Sequence, residues 1–412
     1  MKFGGSSVGT PERMQRVANR IIERQKEGND IVVVVSAMGD TTDNLIDQSK
    51  ILNSNPSSRE MDMLLTVGEQ ISIALLSMTI QAAGSKAMSF TGWQVGMKTN
   101  DVHGKAKIMD IKPDRLLDAL KEGNIAVVAG FQGVSDNGEL TTLGRGGSDT
   151  TAVALAAAIN ADVCEIYTDV DGVYTTDPRV VKNARKLDEI SYDEMLELAH
   201  LGAAVLHPRA VEYAKHYNVQ LVVRSSFTYN TGTSVKEEAV MEQGVAVRGI
   251  AFEKNVARIT INGVPDQPGI LANVFNELAE HDIDVDIIVQ SGTQNGTADF
   301  AFTVSDSVKD KALEVIDGIK SLVSYREVAS ESGLVKVSIV GAGMVSNPGV
   351  AAKMFTTISD LGININMVST SEIKVSAVIK QDKLNEAVIA LHTAYGLDTT
   401  EQAFVGGPAE RR

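Results

Sequence analysis

The stretch Asp30-Ile31-Val32-Val33-Val34-Val35-Ser36-Ala37-Met38-Gly39-Asp40-Thr41-Thr42-Asp43 decides how the fold is read. Its branched residues do not alternate with polar ones, and a polar loop ends the run. That is the signature of a strand buried on both faces, as in the middle of a parallel sheet. Just upstream, Thr10-Pro11-Glu12 predicts a helix start, with an oxygen at the cap, proline at the first position and an acid in the first turn. Met14, Val17, Ile21 and Ile22 then recur at helical spacing. Downstream, GNIAVVAGFQGV (123–134), ADVCEIYTDV (161–170) and NVQLVVRSS (218–226) repeat the buried-strand texture, with the helical TTAVALAAAIN (150–160) among them. SDNGEL (135–140) and DVDGVY (169–174) carry the Asn-Gly and Asp-Gly signals of tight turns. The first 230 or so residues therefore predict a three-layer α/β domain with a mostly parallel sheet.

After YNTGTSVKEEAVMEQG (229–244) the texture changes and an internal repeat begins. Residues 256–290 match 334–370 in pattern, with Pro268-Gly269 aligned to Pro348-Gly349 and Ile283-Asp284-Val285 to Ile363-Asn364-Ile365. Each unit reads strand, Pro-Gly loop, helix, strand, strand, helix, the order of a ferredoxin-like βαββαβ module. The expected domains are 1–240, 254–325 and 334–406. The repeat also disposes of VKVSIVGAGMVS (335–346) as a dinucleotide fingerprint: Ser346 stands at the third glycine position, and the first repeat has no equivalent glycines.

The chain has 412 residues, enough for two or three domains, and a net charge of −15. Such a charge argues against nucleic-acid and anionic-membrane partners, though not against an anionic ligand held by a few local cations. One cysteine, Cys164, excludes an intrachain disulfide framework and fits a reducing compartment; it reads as a small buried hydrophobe. With no basic-apolar leader and no apolar run near 18 residues, the expectation is a cytoplasmic protein. The six histidines show no metal-ligand spacing, and no metal-binding residues are assigned; His207 reads as a helix-entry residue.

Four loops follow strands and precede helices, where open α/β sheets bind ligands. In Lys2-Phe3-Gly4-Gly5-Ser6-Ser7, glycines let backbone N–H groups approach oxyanions and Lys2 brings a compact charge; a flexible tail is the plain alternative. Ser36, Thr41 and Thr42 offer hydroxyls, or simply a capped helix start. Glu69 in TVGEQIS stands where a helix is expected to begin, either favouring the dipole or pairing with a substrate ammonium. TTLGRGGSDTTA (141–152) is the most informative: Ser148 can cap the next helix, Asp149 sits in its first turn, and Arg145 among glycines makes a receptor for carboxylate or phosphate. Finally Thr168, Asp169, Tyr174, Asp177 and Arg179 could hold a nucleotide and its magnesium, or form a hairpin with solvated charges.

With KFGGSS, VSAMGDTTD, GFQGV, TTLGRGGSDTTA, YTDVDGVYTTDPR and STSEIK in this order, the chain resembles aspartate kinase, most closely the single-function bacterial type with two C-terminal ACT modules. The likeness runs from Lys2 to about Val405. It implies ATP- and Mg2+-dependent phosphorylation of the β-carboxylate of L-aspartate, the entry to lysine, threonine and methionine synthesis. It implies that Lys2, Phe3, Gly4 and Gly5 meet the phosphates, Glu69 the substrate ammonium and Arg145 its α-carboxylate. Ser36, Thr42, Gly146, Gly147, Ser148 and Asp149 would position substrate and transferring group, and Thr168, Asp169, Tyr174 and Arg179 would line the nucleotide. A carboxylate is already a nucleophile at neutral pH, so positioning and charge neutralisation suffice.

By the same resemblance the ACT modules bind effectors, with Asp266, Gly269, Ile270 and Gln290 in the first and Asn364, Asn366 and Thr370 in the second as candidates. Feedback by lysine, threonine or both is expected, together with a homo-oligomer formed through the ACT modules and a shorter regulatory chain starting at Met241. Two departures stand out. Ala204 occupies the place of a lysine that some members carry near the nucleotide, and whether nearby Arg209 substitutes for it stays open at this point. Only Met1 precedes the first loop, where a crossover unit needs a strand, so the chain as written is expected to begin a handful of residues late. A kinase acting on glutamate or a derivative, and a non-catalytic amino-acid sensor, stay open at this point.

Overall fold

The computed structural model describes residues 1–200, 205–237, 246–292, 296–344 and 347–399. Ala204, Met241 and Ser346 lie outside the described residues. Two compact units emerge: Met1–Tyr174 with the described part of Arg185–Met241, and Thr175–Ala184 with the described part of Glu242–Thr400.

In chain order the first unit runs β1 (Lys2–Phe3), α1 (Pro11–Lys26), β2 (Val32–Val35), α2 (Thr41–Leu52), α3 (Ser58–Ala82), β3 (Ala87–Phe90), β4 (Met97–Thr99), β5 (Ile108–Ile111) and α4 (Asp114–Lys121). It continues with β6 (Ile125–Ala129), β7 (Gln132–Ser135), β8 (Leu140–Thr142), α5 (Gly147–Ala158), β9 (Cys164–Thr168), β10 (Glu189–Ser191), α6 (Tyr192–His200), α7 (Pro208–Tyr217), β11 (Leu221–Ser225) and β12 (Thr233–Lys236). Eight strands form one sheet in the order β10-β12-β11-β9-β1-β2-β6-β3, and only β11 and β12 pair antiparallel. The expected mostly parallel sheet is what forms, and β6 is buried along its whole length. A second sheet of order β5-β4-β7-β8 carries the Asn137-Gly138 turn, where Gly138 takes a φ of +82°. Asp171-Gly172 is a bend rather than a hairpin turn.

The first loop begins later than the sequence suggests. Lys2 and Phe3 are themselves a strand, in register with Val34 and Val35 on one side and Ile166 and Tyr167 on the other. Alternation then separates their side chains: Phe3 is fully buried and stacks on Tyr167 with ring centroids 4.5 Å apart, while Lys2 turns the other way. Thr10 caps α1 by accepting from the Arg13 amide, as its sequence predicts.

Helix α3 is long and apolar enough, by length and composition alone, to cross a membrane. Half of its apolar window is buried within the unit. That buried face includes Asp62, Leu65, Thr66, Glu69, Ser72, Ile73, Leu76 and Ile80, spaced three and four apart.

The second unit contains β13 (Gly249–Pro265), α8 (Ile270–Glu280), β14 (Ile288–Gln290), β15 (Thr297–Ser305), α9 (Lys309–Gly318), α10 (Lys320–Val323), β16 (Glu327–Val340), α11 (Val350–Asp360), β17 (Met367–Thr370), β18 (Lys374–Lys380) and α12 (Leu384–Ala394). One six-stranded sheet, β14-β15-β13-β16-β18-β17, joins the two repeats. Its two long central strands each serve both modules. The later half of β13 (256–265) pairs with β15 and with 327–334 of β16, which is the fourth strand of the first module. Residues 334–340 of β16 pair with β18 and with 249–253 of β13, so the second module takes its fourth strand from chain that precedes the first module. Both Pro-Gly signals become helix entries, Gly269 and Gly349 adopting φ of +94° and +96°. Gly341 of the rejected fingerprint allows close packing, since a Cβ there would stand 2.4 Å from the Ala246 carbonyl.

Candidate active site

The carboxyl ends of β1, β2 and β6 and the entry of α5 open on one cavity of about 320 Å3. After β1 the chain turns tightly, Ser7 and Val8 donating to the carbonyls of Gly4 and Gly5. A side chain on Gly5 would meet the Ala37 carbonyl at 2.7 Å, and the Gly39 amide donates to the Gly5 carbonyl at 3.1 Å. The first two loops are thus locked together. Ser36 and Thr42 line the cavity from the second, whereas Thr41 turns its hydroxyl back onto the Met38 carbonyl at 2.6 Å. Lys2 reaches across to Asp149, Nζ to Oδ1 2.7 Å.

Glu69 corrects its sequence reading. It lies in the middle of α3, not at a helix start, so the dipole offers it nothing. Gly68 lets Ala37 press against the helix, a Cβ there falling 2.7 Å from the Ala37 methyl carbon. The Ala37 amide can then donate to Glu69 Oε1 at 3.1 Å. Oε2 is buried without a hydrogen-bond partner, and burial pushes the carboxyl up to about 7. A buried carboxylate oxygen aimed into a cavity with no protein partner suits a cation that arrives from outside.

The Arg145 loop is built from glycine. Gly144 and Gly146 take φ of +77° and +69°, and a Cβ on Gly146 would fall 2.1 Å from His207 Cγ. Gly146, not Ser148, is the residue before the first turn of α5, so Ser148 does not cap it. Ser148 instead packs where a side chain on Gly130 would stand, 2.6 Å from such a Cβ. Arg145 is exposed on the cavity and makes no ion pair among the described residues. Its guanidinium, the Glu69 carboxylate and the Lys2–Asp149 pair offer one small ligand an anion receptor, a cation receptor and a second positive pole.

Residues 1–225 match the amino acid kinase family, and 258–320 and 337–395 each match the ACT domain. An aspartokinase of Geobacillus stearothermophilus is 57% identical over 396 residues, spanning 96% of both chains. The chain belongs to the aspartokinase family. Its fold also follows the crystal structure of E. coli aspartokinase III in complex with aspartate and ADP, at 28% identity and a TM-score of 0.80 over 95% of this chain and 98% of that one. The same enzyme in complex with lysine and aspartate gives a TM-score of 0.72 at 28% identity, with the same coverage.

The expected aspartokinase residues divide. Lys2, Gly4, Gly5, Ser36, Thr42 and Glu69 share the cavity with the loop from Arg145 to Asp149. Phe3 does not face it. Thr168 ends β9, one step past the residue level with Phe3, and its hydroxyl donates to Asp169, the next residue, at 3.0 Å. Tyr174 is buried and donates to Asp171 at 2.6 Å. Arg179 belongs to the second unit with the rest of Thr175–Ala184, where Thr175 Oγ1 lies 2.8 Å from His392 Nε2 and accepts at its carbonyl from Ile250. Arg209 is no substitute cation: its guanidinium donates to the carbonyls of Leu143 and Ala106. Cys164 is buried, its thiol pushed up to about 11, which fits its reading as a hydrophobe.

Ala37, Gly39, Phe131 and Gly144 also line the cavity, a fact that adjacency to the motif residues could have signalled. Of the effector candidates, Asp266, Gly269 and Ile270 gather at the entry of α8. Asn364 lies just ahead of β17, and Asn366 is tied to Glu331 at 3.0 Å. Gln290 on β14 and Thr370 on β17 stand at opposite edges of the sheet.

Proposed function

We propose that this cavity is where the enzyme phosphorylates the β-carboxylate of L-aspartate with ATP. The observation that carries the assignment is Glu69: a buried carboxylate with one unpartnered oxygen, sharing a small cavity with an exposed, unpaired Arg145. Glu69 takes the substrate ammonium and Arg145 its α-carboxylate, which leaves the β-carboxylate to face Lys2. Ser36 and Thr42 hydrogen-bond the substrate, and the Gly146-Gly147-Ser148 turn supplies amides beside it. Backbone amides of Gly4 and Gly5 with Lys2 cradle the phosphates, and Asp149 holds the Lys2 ammonium in place. The attacking oxygen is already ionised at neutral pH, so the site needs alignment rather than a base. Thr168 and Asp169, level with the phosphate loop, flank the nucleotide, with Tyr174 and Arg179 further along the same stretch as its remaining candidates.

Magnesium would enter with the nucleotide. Among the described residues no group of three His, Cys, Asp or Glu could hold a metal ion alone, whereas Asp149 could join phosphate oxygens around one. Such an ion neutralises charge on the phosphates. The decisive assay is aspartate-dependent hydroxamate formation with ATP and magnesium. Product with aspartate and not with glutamate supports the reading; no product from the folded enzyme rejects it.

The aspartokinase III complex with lysine supports lysine as an effector here, with threonine as a further candidate, acting at the entries of α8 and α11. Gln290 and Thr370 on the two outer edges favour a site completed by a second chain, hence a homo-oligomer through the ACT modules. The shorter regulatory chain from Met241 and a cytoplasmic location, which the single buried cysteine fits, complete the proposal. An activity titration with lysine and threonine, alone and mixed, tests the feedback; no response to any of them removes it.

A further inference from the structure

Asp62 lies on the same helix as Glu69, seven residues earlier, and on the same buried face. Its side chain accepts four hydrogen bonds. His103 Nδ1 donates at 2.7 Å, the Gly104 amide at 3.1 Å to each oxygen, and the Thr142 hydroxyl at 2.6 Å. Thr142 ends β8 and leads into Leu143-Gly144-Arg145. Gly104 touches the same loop: a Cβ on Gly144 would stand 2.9 Å from the Gly104 carbonyl. The Ala106 amide donates to the Thr142 carbonyl at 2.9 Å, and Arg209 clamps Ala106 and Leu143 from the far side. One carboxylate therefore ties down both segments that shape the root of the Arg145 loop.

From this we infer that Asp62 is a positioning residue for substrate selection. It fixes the Arg145 loop relative to Glu69, so one rigid helix spaces the ammonium receptor from the α-carboxylate receptor. Two turns separate Asp62 and Glu69, about 10 Å along the axis, and neither can shift without the other. Asp62 does not line the cavity, so its influence on aspartate passes through Thr142 and Gly104. The inference rests on the assignment of Glu69 and Arg145 to aspartate.

Asp62→Asn keeps the shape and replaces one acceptor with a donor facing donors. Steady-state kinetics should show the KM for L-aspartate raised at least tenfold and the KM for ATP within twofold. Equal rises for both substrates, or no rise, overturn the inference. If that variant fails to fold, Thr142→Val and Thr142→Ser decide. A selective rise of threefold or more in the valine variant, reversed in the serine variant, supports it. A serine variant no better than valine, or a valine variant unchanged, overturns it. Arg145→Ala run alongside separates the two levels: without a rise in the aspartate KM there, the underlying assignment is what fails.

Discussion

Lys2 at the head of β1 and Asp149 in the first turn of α5 meet at 2.7 Å, joining residues 147 positions apart in the chain. Both side chains are largely shielded from solvent, which strengthens the pairing over that of a surface salt bridge. Lys2→Ala should leave the fold in place and lower kcat by about 10²- to 10³-fold, the loss typical of a charge aimed at a transition state. A variant retaining more than a tenth of the wild-type kcat would remove Lys2 from that role.

Glu69 makes a prediction in pH. Its carboxyl holds a proton more tightly folded than unfolded, about 7 against an ordinary 4.5. Between those values the folded chain binds more protons than the unfolded one, so this group's contribution to stability falls as pH rises from about 4.5 to about 7. Glu69→Gln escapes that loss. It should melt at a higher temperature than wild type at pH 8, by up to roughly 3 kcal/mol of stability, and at a similar temperature at pH 4. Its KM for aspartate should rise about 100-fold, the cost of losing a charge-assisted contact. An unchanged KM would show that the substrate ammonium lies elsewhere.

Arg145 separates the two substrates. Arg145→Ala should raise the KM for aspartate by about 30-fold or more, as expected for a lost guanidinium–carboxylate pair, and leave that for ATP within threefold. Lysine at this position should recover only part of the loss, because it cannot reproduce the fork. Equal effects on both substrates would contradict the assignment.

Gly146 should tolerate nothing larger. Alanine there meets His207 at 2.1 Å in addition to a φ of +69°, whereas Gly28, at +94°, has open space around it. Gly28→Ala should therefore cost about 1 kcal/mol in denaturant unfolding, and Gly146→Ala clearly more. Comparable losses would mean that the His207 contact yields easily.

The parts of the fold that could be read from sequence are those where one residue pattern has one physical meaning. β2 and β6 are buried on both faces and read as unbroken apolar runs. The Gly-rich loops announced the site because backbone must approach a ligand there. Gly68 looks like a helix boundary and so puts Glu69 at a helix start; it is a mid-helix gap through which Ala37 enters. Adjacency groups Phe3 with Lys2, though strand alternation sends the two side chains apart. Asp62 and His103 give no signal, since the partners of Asp62 stand 41 to 80 positions away; Arg209 looks like a spare cation because its carbonyl partners stand 66 and 103 positions away. Nothing local distinguishes Thr175–Ala184 from the strand excursion it continues; its anchors, His392 and Ile250, are far along the chain.

The exchange of strands between β13 and β16 bears on where this gene can be cut. The two repeats look like modules that recombination could shuffle one at a time. Yet a break placed between them, near residue 333, would strip the second repeat of 249–253, and one placed just before residue 254 would do the same. A segment able to move as a unit must start upstream of Gly249 and carry both repeats. The shared strands make the two repeats a single heritable piece.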